Sequence, residues 1–157
     1  MPTVESVMAS KSGPAIASAQ AGQTTTQHAT YTTPAAADTE DNTLAIRMLK
    51  LPAQHRIVSL CLDTPDLDSG ATGTIDVGVE DSVQDPSDTS DLTLFATAQS
   101  IQAAAFNRYE SKAIWDYGVA DYDRYITINV ATASTTGLAG TINACLVTRP
   151  ELGSQFE

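Results

Sequence analysis

Positive charge is scarce in this chain. Eight Lys and Arg residues stand against 19 Asp and Glu over 157 residues, a formal net charge of -11. Displacing counterions from a phosphate backbone, or adhering to anionic lipid, needs clustered cations. Direct nucleic-acid binding and membrane-surface binding are therefore argued against. Histidine is rarer still: His28 lies in a Thr- and Gln-rich stretch and His55 in the turn after Pro52. Neither is where a strand end would aim an imidazole at a nucleophile, and both read as solvated turn residues. Cysteine occurs twice, Cys61 and Cys145, far apart and in no metal-ligand spacing. A disulfide between them is open, and the alternative is that both are small hydrophobes in or near the core. No apolar run approaches the ~20 residues of a membrane span. No charged-then-apolar leader follows Met1, so a soluble protein made in the cytosol is expected.

Signatures of chemistry are missing in the same way. There is no Gly-Lys-Ser/Thr phosphate loop, no paired-cysteine motif and no Gly-x-Ser-x-Gly; residues 70–73, Gly-Ala-Thr-Gly, are too short for a dinucleotide loop and follow no strand. With so little of an active site available, the expectation is a non-enzymatic protein without cofactor and without catalytic residues.

The length suits one domain with a single core. Residues 1–42 differ from the remainder, being dominated by Ala, Thr, Ser, Gln and Gly, with larger apolar side chains chiefly at Val4, Val7, Met8, Ile16 and Tyr31. So little apolar surface does not offset ordering entropy. This segment is predicted to be an extended N-terminal arm, those five residues its partner-binding contacts, ahead of a domain over 43–150 and a tail over 151–157.

From residue 44 the pattern turns to period two. Leu44, Ile46 and Met48 alternate with Ala45, Arg47 and Leu49 up to Pro52; Val58, Leu60 and Leu62 alternate with Ile57, Ser59 and Cys61. Residues 74–80 place Ile75, Val77 and Val79 inward, with Asp76 and Gly78 outward. The strongest strand signals are 122–130, with Ile126, Ile128 and Val130 on one face, and 138–148, with Ile142, Ala144 and Leu146. The Thr/Ser/Ala-rich link 131–137 has the length of a hairpin loop. Leu92, Phe95, Ala98, Ile101 and Ala105 come close to helical spacing and predict a short helix over 92–99; residues 114–117 predict a short strand ended by Gly118. Six or so strands with turns between them predict a mainly β fold, an antiparallel β-sandwich or jelly-roll-like domain.

Two constellations are candidates for binding. Asp63, Asp66 and Asp68, and then Glu80, Asp81, Asp85, Asp88 and Asp91, supply hard oxygen ligands of the kind calcium takes, but in no EF-hand spacing. Turn chemistry accounts for each of them without a metal. Trp115, Tyr117, Tyr122 and Tyr125 form the second group, readable as a sugar-stacking platform or as core and interface aromatics.

The order of Leu51-Pro52, Thr74-Ile75-Asp76-Val77-Gly78, Asp85-Pro86 and Gly140-Thr141-Ile142 over residues 43–148 resembles small structural proteins of tailed-phage heads. The resemblance implies a capsid decoration or cement protein: a β-sandwich on the capsid exterior, made in the host cytoplasm, binding the major capsid protein and assembling as a dimer or trimer. A head-fibre or tail component, a carbohydrate-binding β-sandwich module and a self-assembling surface-layer or pilus-like subunit are the alternatives.

Overall fold

The computed structural model describes residues 3–5, 24–34, 39–70, 72–82 and 90–151, the first three by their backbone alone. Two sheets face each other. The first holds β1 (Thr3–Glu5), β3 (Ala45–Leu51), β8 (Arg124–Thr132), β5 (Thr74–Asp81) and β6 (Asp91–Ser100), in the order β1-β3-β8-β5-β6. The second holds β2 (Thr25–Thr33), β9 (Gly140–Pro150), β4 (His55–Thr64) and β7 (Ala105–Tyr109), in the order β2-β9-β4-β7. Every pair is antiparallel except β1 with β3. The chain is a mainly β sandwich, as its alternation predicts.

Alternation dictates the core. Ile75, Val77 and Val79 on β5, with Ile126, Ile128 and Val130 on β8, meet Ile142, Ala144 and Leu146 on β9 and Leu60 and Leu62 on β4. Register shifts interrupt simple period two, and two of them change which side chains face the core. Between Arg47 and Leu49 the register slips, so Met48 and Leu49 are both buried where alternation put Leu49 on the outer face. A second slip between Ile57 and Ser59 turns Ile57 inward and leaves Val58 half-buried, the reverse of its expected face. One extra residue flips every side chain beyond it.

The expected arm boundary at residue 42 is corrected. β2 pairs with β9 at nine consecutive positions, from Thr25 opposite Thr148 to Thr33 opposite Gly140. Its inward residues include the buried Ala29, and Tyr31 packs against the core instead of reaching for a partner. Thr, Gln and Ala cannot drive collapse, but they pair well once β9 presents an open edge. Val4 lies on β1; Val7, Met8 and Ile16 lie outside the described residues.

Three further expectations change. Residues 92–99 belong to β6, a strand, because Gly78 lets the β6 backbone cross at a distance where a Cβ would sit 2.2 Å from Asp91 O. Ala98 there adopts φ 50°, and its N–H donates to Asp76 Oδ1 at 2.7 Å. Residues 112–116 form α1 (Lys112–Asp116), not a strand: the Ser111 hydroxyl accepts from the Ile114 N–H at 3.3 Å, Ile114 is buried, and Gly118 follows at φ 77°. The 131–137 link is no hairpin, since β8 and β9 lie in different sheets. It crosses between them, with Ser134 N–H donating to Thr39 O at 2.8 Å and Leu138 N–H to Leu67 O at 2.9 Å.

That crossing packs against a turn wound around one carboxylate. Asp68 is buried and accepts the N–H groups of Gly70 at 2.8 Å and Gly73 at 2.7 Å. Burial raises its pKa, but the amide donors of Gly73, Gly70, Thr72 and Thr136 outweigh this and hold it below the usual carboxylate range. A folded-state pKa below the unfolded value adds stability above the unfolded pKa, which is lost as pH falls through the folded one. Asp68→Asn is expected to lower Tm by several degrees at pH 7 and to differ little from wild type near pH 2. Thermal melts of both proteins from pH 7 to pH 2 measure this; a gap that persists in acid would mean the charge is irrelevant.

Candidate functional site

The outward faces and edges of the sandwich carry the remaining chemistry. On the first sheet, Arg47 from β3 forms two hydrogen bonds to Glu80 on β5, at 2.8 and 2.9 Å, while its guanidinium lies 4.7 Å from the ring centroid of Tyr125 on β8. The Thr127 hydroxyl, fully buried, donates to the same Glu80 at 3.3 Å. At the end of that strand Arg124 is almost completely buried, donating to Gly118 O at 3.2 Å and lying 4.9 Å from the Tyr117 ring centroid. Burial raises the Tyr117 pKa and the arginine opposes this. A buried arginine in a strand is invisible to pattern reading, because its position follows from which aromatic and carbonyl groups fold over it.

On the second sheet, Trp115 sits beneath two guanidinium groups, those of Arg56 and Arg149, each 5.2 Å from its ring. Arg56 also pairs with Glu151, and its hydrogen bonds hold that carboxyl below the usual range. Trp115 remains 40% exposed.

The four aromatics therefore do not make one platform. Ile126 and Ile128 face the core, so Tyr125 points out from the first sheet. Ile57 faces inward from β4, so Arg56, and Trp115 with it, lies on the outside of the second sheet. Tyr117 packs against the core and Tyr122 is exposed at the surface. Stacking on a sugar needs coplanar, neighbouring rings, and arginine pairing distributes these over opposite faces.

The edges are more telling. Among the described residues β7 pairs only with β4, so no described strand covers its other backbone edge. Phe106 projects outward from it, 69% exposed, the most exposed large apolar side chain described. The inward Tyr109 closes the side of the sandwich, stacking on Phe95 of β6 at 5.8 Å and donating to Gln99; burial pushes its pKa up to about 12. Period two marks Phe106 as opposite in face to Tyr109, but the surrounding 100–112 segment has too few apolar residues for sequence alone to select the exposed one.

His28 is not a turn residue: it is exposed on β2, whereas His55 opens β4 with Nδ1 2.9 Å from Ala53 O. The cysteines are free and half-exposed on the outward face of the second sheet, not in the core. Several acidic residues serve their own backbone: Asp41 accepts from Thr43 N–H at 2.8 Å, Asp66 from Asp68 N–H at 3.2 Å and Asp91 from Thr93 N–H at 3.1 Å, whereas Glu80 pairs with Arg47 and Asp63 accepts from the Asn143 side-chain amide at 3.1 Å. Among the described residues no group of three His, Cys, Asp or Glu is placed to hold a metal ion; Asp85 and Asp88 lie outside them.

No protein-family model matches the sequence, and no curated protein matches it. Solved structures do. A chain of the capsid of Ralstonia phage GP4 is 26% identical, with a TM-score of 0.77 over 97% of this chain and 100% of that one. A chain of the cyanophage Pam1 capsid asymmetric unit is 19% identical, with a TM-score of 0.62 over 83% of this chain and 87% of that one.

Proposed function

We propose that this protein is a capsid decoration or cement protein of a tailed phage, binding the major capsid protein on the exterior of the assembled shell and acting without catalysis. One observation carries the reading: 97% of this chain aligns in fold with the full length of a chain of the Ralstonia phage GP4 capsid at 26% identity, which supports a virion structural role. The finer role draws on the shape of the molecule. A single sandwich with a β7 edge that no described strand covers, an exposed Phe106 and a polypeptide segment before β2 that is poor in large apolar groups is suited to laying strand edges and an extended arm along neighbouring subunits. Val4, Val7, Met8 and Ile16 are the arm's contacts in this reading. Two or three copies associate at each site, after synthesis in the host cytoplasm.

Co-sedimentation with capsids stripped of decoration tests the proposal. The intact chain is expected to saturate a fixed number of sites per shell. Phe106→Ala should weaken binding at least tenfold, about 1.4 kcal/mol, with its melting temperature unchanged. Deleting residues 1–23 should weaken it further. If the intact chain does not sediment with shells, the decoration role fails; if Phe106→Ala binds like wild type, the β7 edge is not the contact.

A further inference from the structure

One row of side chains crosses the outward face of the second sheet. Register sets His28 on β2 opposite Cys145 on β9, Cys145 opposite Cys61 on β4, and Cys61 opposite Arg108 on β7. His28 Nε2 lies 3.9 Å from Cys145 Sγ. Both thiols are free and half-exposed. Directly opposed residues of an antiparallel pair have Cα atoms about 4.5 or about 5.5 Å apart, depending on the hydrogen-bond pattern. Both values fall within the roughly 4.4–6.8 Å that a disulfide spans. The two side chains rise from the same face of adjacent strands, so their register and direction are those a disulfide requires.

We propose that Cys61 and Cys145 are a latent cross-strand disulfide, reduced in the cell and closed by a low-molecular-weight disulfide once the protein reaches an oxidising medium. His28 takes the proton from Cys145. The Cys145 thiolate then attacks one sulfur of the small disulfide, forming a mixed disulfide and releasing one small thiolate, which takes up the proton. Cys61, deprotonated in turn, attacks the Cys145 sulfur of the mixed disulfide. The Cys61–Cys145 bond forms and the second small thiol leaves, so two protein thiols are oxidised as one small disulfide is reduced to two thiols. Burial and the neighbouring Cys61 both raise the Cys145 thiol above its usual pKa, which keeps the first step slow at neutral pH. The bond would tie together β4 and β9, the two interior strands of the sheet, and close a loop of about 84 residues. Only the timing, closure after release from the host cell, rests on the virion reading; the chemistry belongs to the isolated chain.

The full-length protein, purified under reductant, is transferred to oxidised glutathione at pH 8 and followed by intact mass, thiol titration and thermal melting. The expected product has lost both titratable thiols and about 2 Da, carries no glutathione, and yields a peptide linking Cys61 to Cys145. Its Tm rises by roughly 5 °C or more, and dithiothreitol reverses the change. Cys61→Ser should stop at one stable glutathione adduct on Cys145, and His28→Ala should form the wild-type product several-fold more slowly. Retention of both thiols, persistent glutathione adducts on the wild type, or a bond between two chains overturns the proposal; an unchanged rate in His28→Ala removes His28 from it. A protein that closes the bond yet fails to bind shells leaves this inference standing and removes the decoration reading.

Discussion

Deleting residues 1–33 is expected to abolish cooperative folding, whereas deleting residues 1–23 leaves a folded sandwich. The difference is β2. Its nine positions pair with β9 from end to end, and it contributes the buried Ala29 and the core-packed Tyr31. Each lost ladder bond costs about 0.5–1.5 kcal/mol net. Removing the strand also exposes Ile142, Ala144 and Leu146 along one side of β9, so the summed loss is comparable with the roughly 5–15 kcal/mol by which a whole domain is stable. The shorter deletion removes β1, three residues paired to the outer side of β3, and leaves both sheets otherwise intact. Circular dichroism melts of the two truncated proteins decide the matter. A sharp transition in the protein lacking residues 1–33 would show that β2 is dispensable and restore an arm reaching to residue 42.

The second large effect is in the core. Leu146→Ala and Ile128→Ala should each destabilise by about 2–5 kcal/mol, the usual range for emptying a buried aliphatic site. Leu146 and Ile128 are buried from opposite sheets, on β9 and β8, so each substitution opens a cavity at the middle of the sandwich. Thr30→Ala, at an outward and exposed position on β2, should stay within about 0.5 kcal/mol. Thr127 is not an equivalent outward control despite its alternation, because it is fully buried and hydrogen-bonded to Glu80. Urea unfolding of the three variants at 25 °C gives the values. Equal losses at Thr30 and Leu146 would mean that β2 and β9 face the other way.

Much of this architecture was legible in the chain, and the reason is geometric. Residues 74–81, 124–132 and 140–150 alternate because one face of each strand meets the opposing sheet and the other does not, and period two records that asymmetry directly. The chain's deficit of cations and of clustered catalytic groups made a structural role the expectation, since nucleic-acid binding and catalysis need particular side chains. The acidic residues of the 65–73 turn, Asp66 and Asp68, were likewise readable as turn formers, and Asp68 holds its loop by accepting backbone N–H groups.

The elements that were misread lack a pattern of their own. β2 is Thr-rich and weakly apolar, β6 spaces its apolar residues near helical period and carries a left-handed residue at Ala98, and each is a strand because a neighbouring strand offers an open edge. Residues 112–116 are helical through a Ser111 cap and one buried Ile114, a local preference stronger than the short apolar run suggested. The aromatic group dissolved because arginines far away in sequence, Arg56 and Arg149 for Trp115, Arg47 for Tyr125, Arg124 for Tyr117, draw each ring to a different place.

By itself, then, the amino-acid order determined the inward faces of β5, β8 and β9 and the single core, because these depend on side-chain type and short-range periodicity. Only the tertiary structure decided that β8 and β9 lie in separate sheets, where the bulges fall, and that Cys61 and Cys145 stand opposite one another. Those are questions of which strand meets which, and strand pairing is set by backbone edges brought together across the whole chain, which no local pattern encodes.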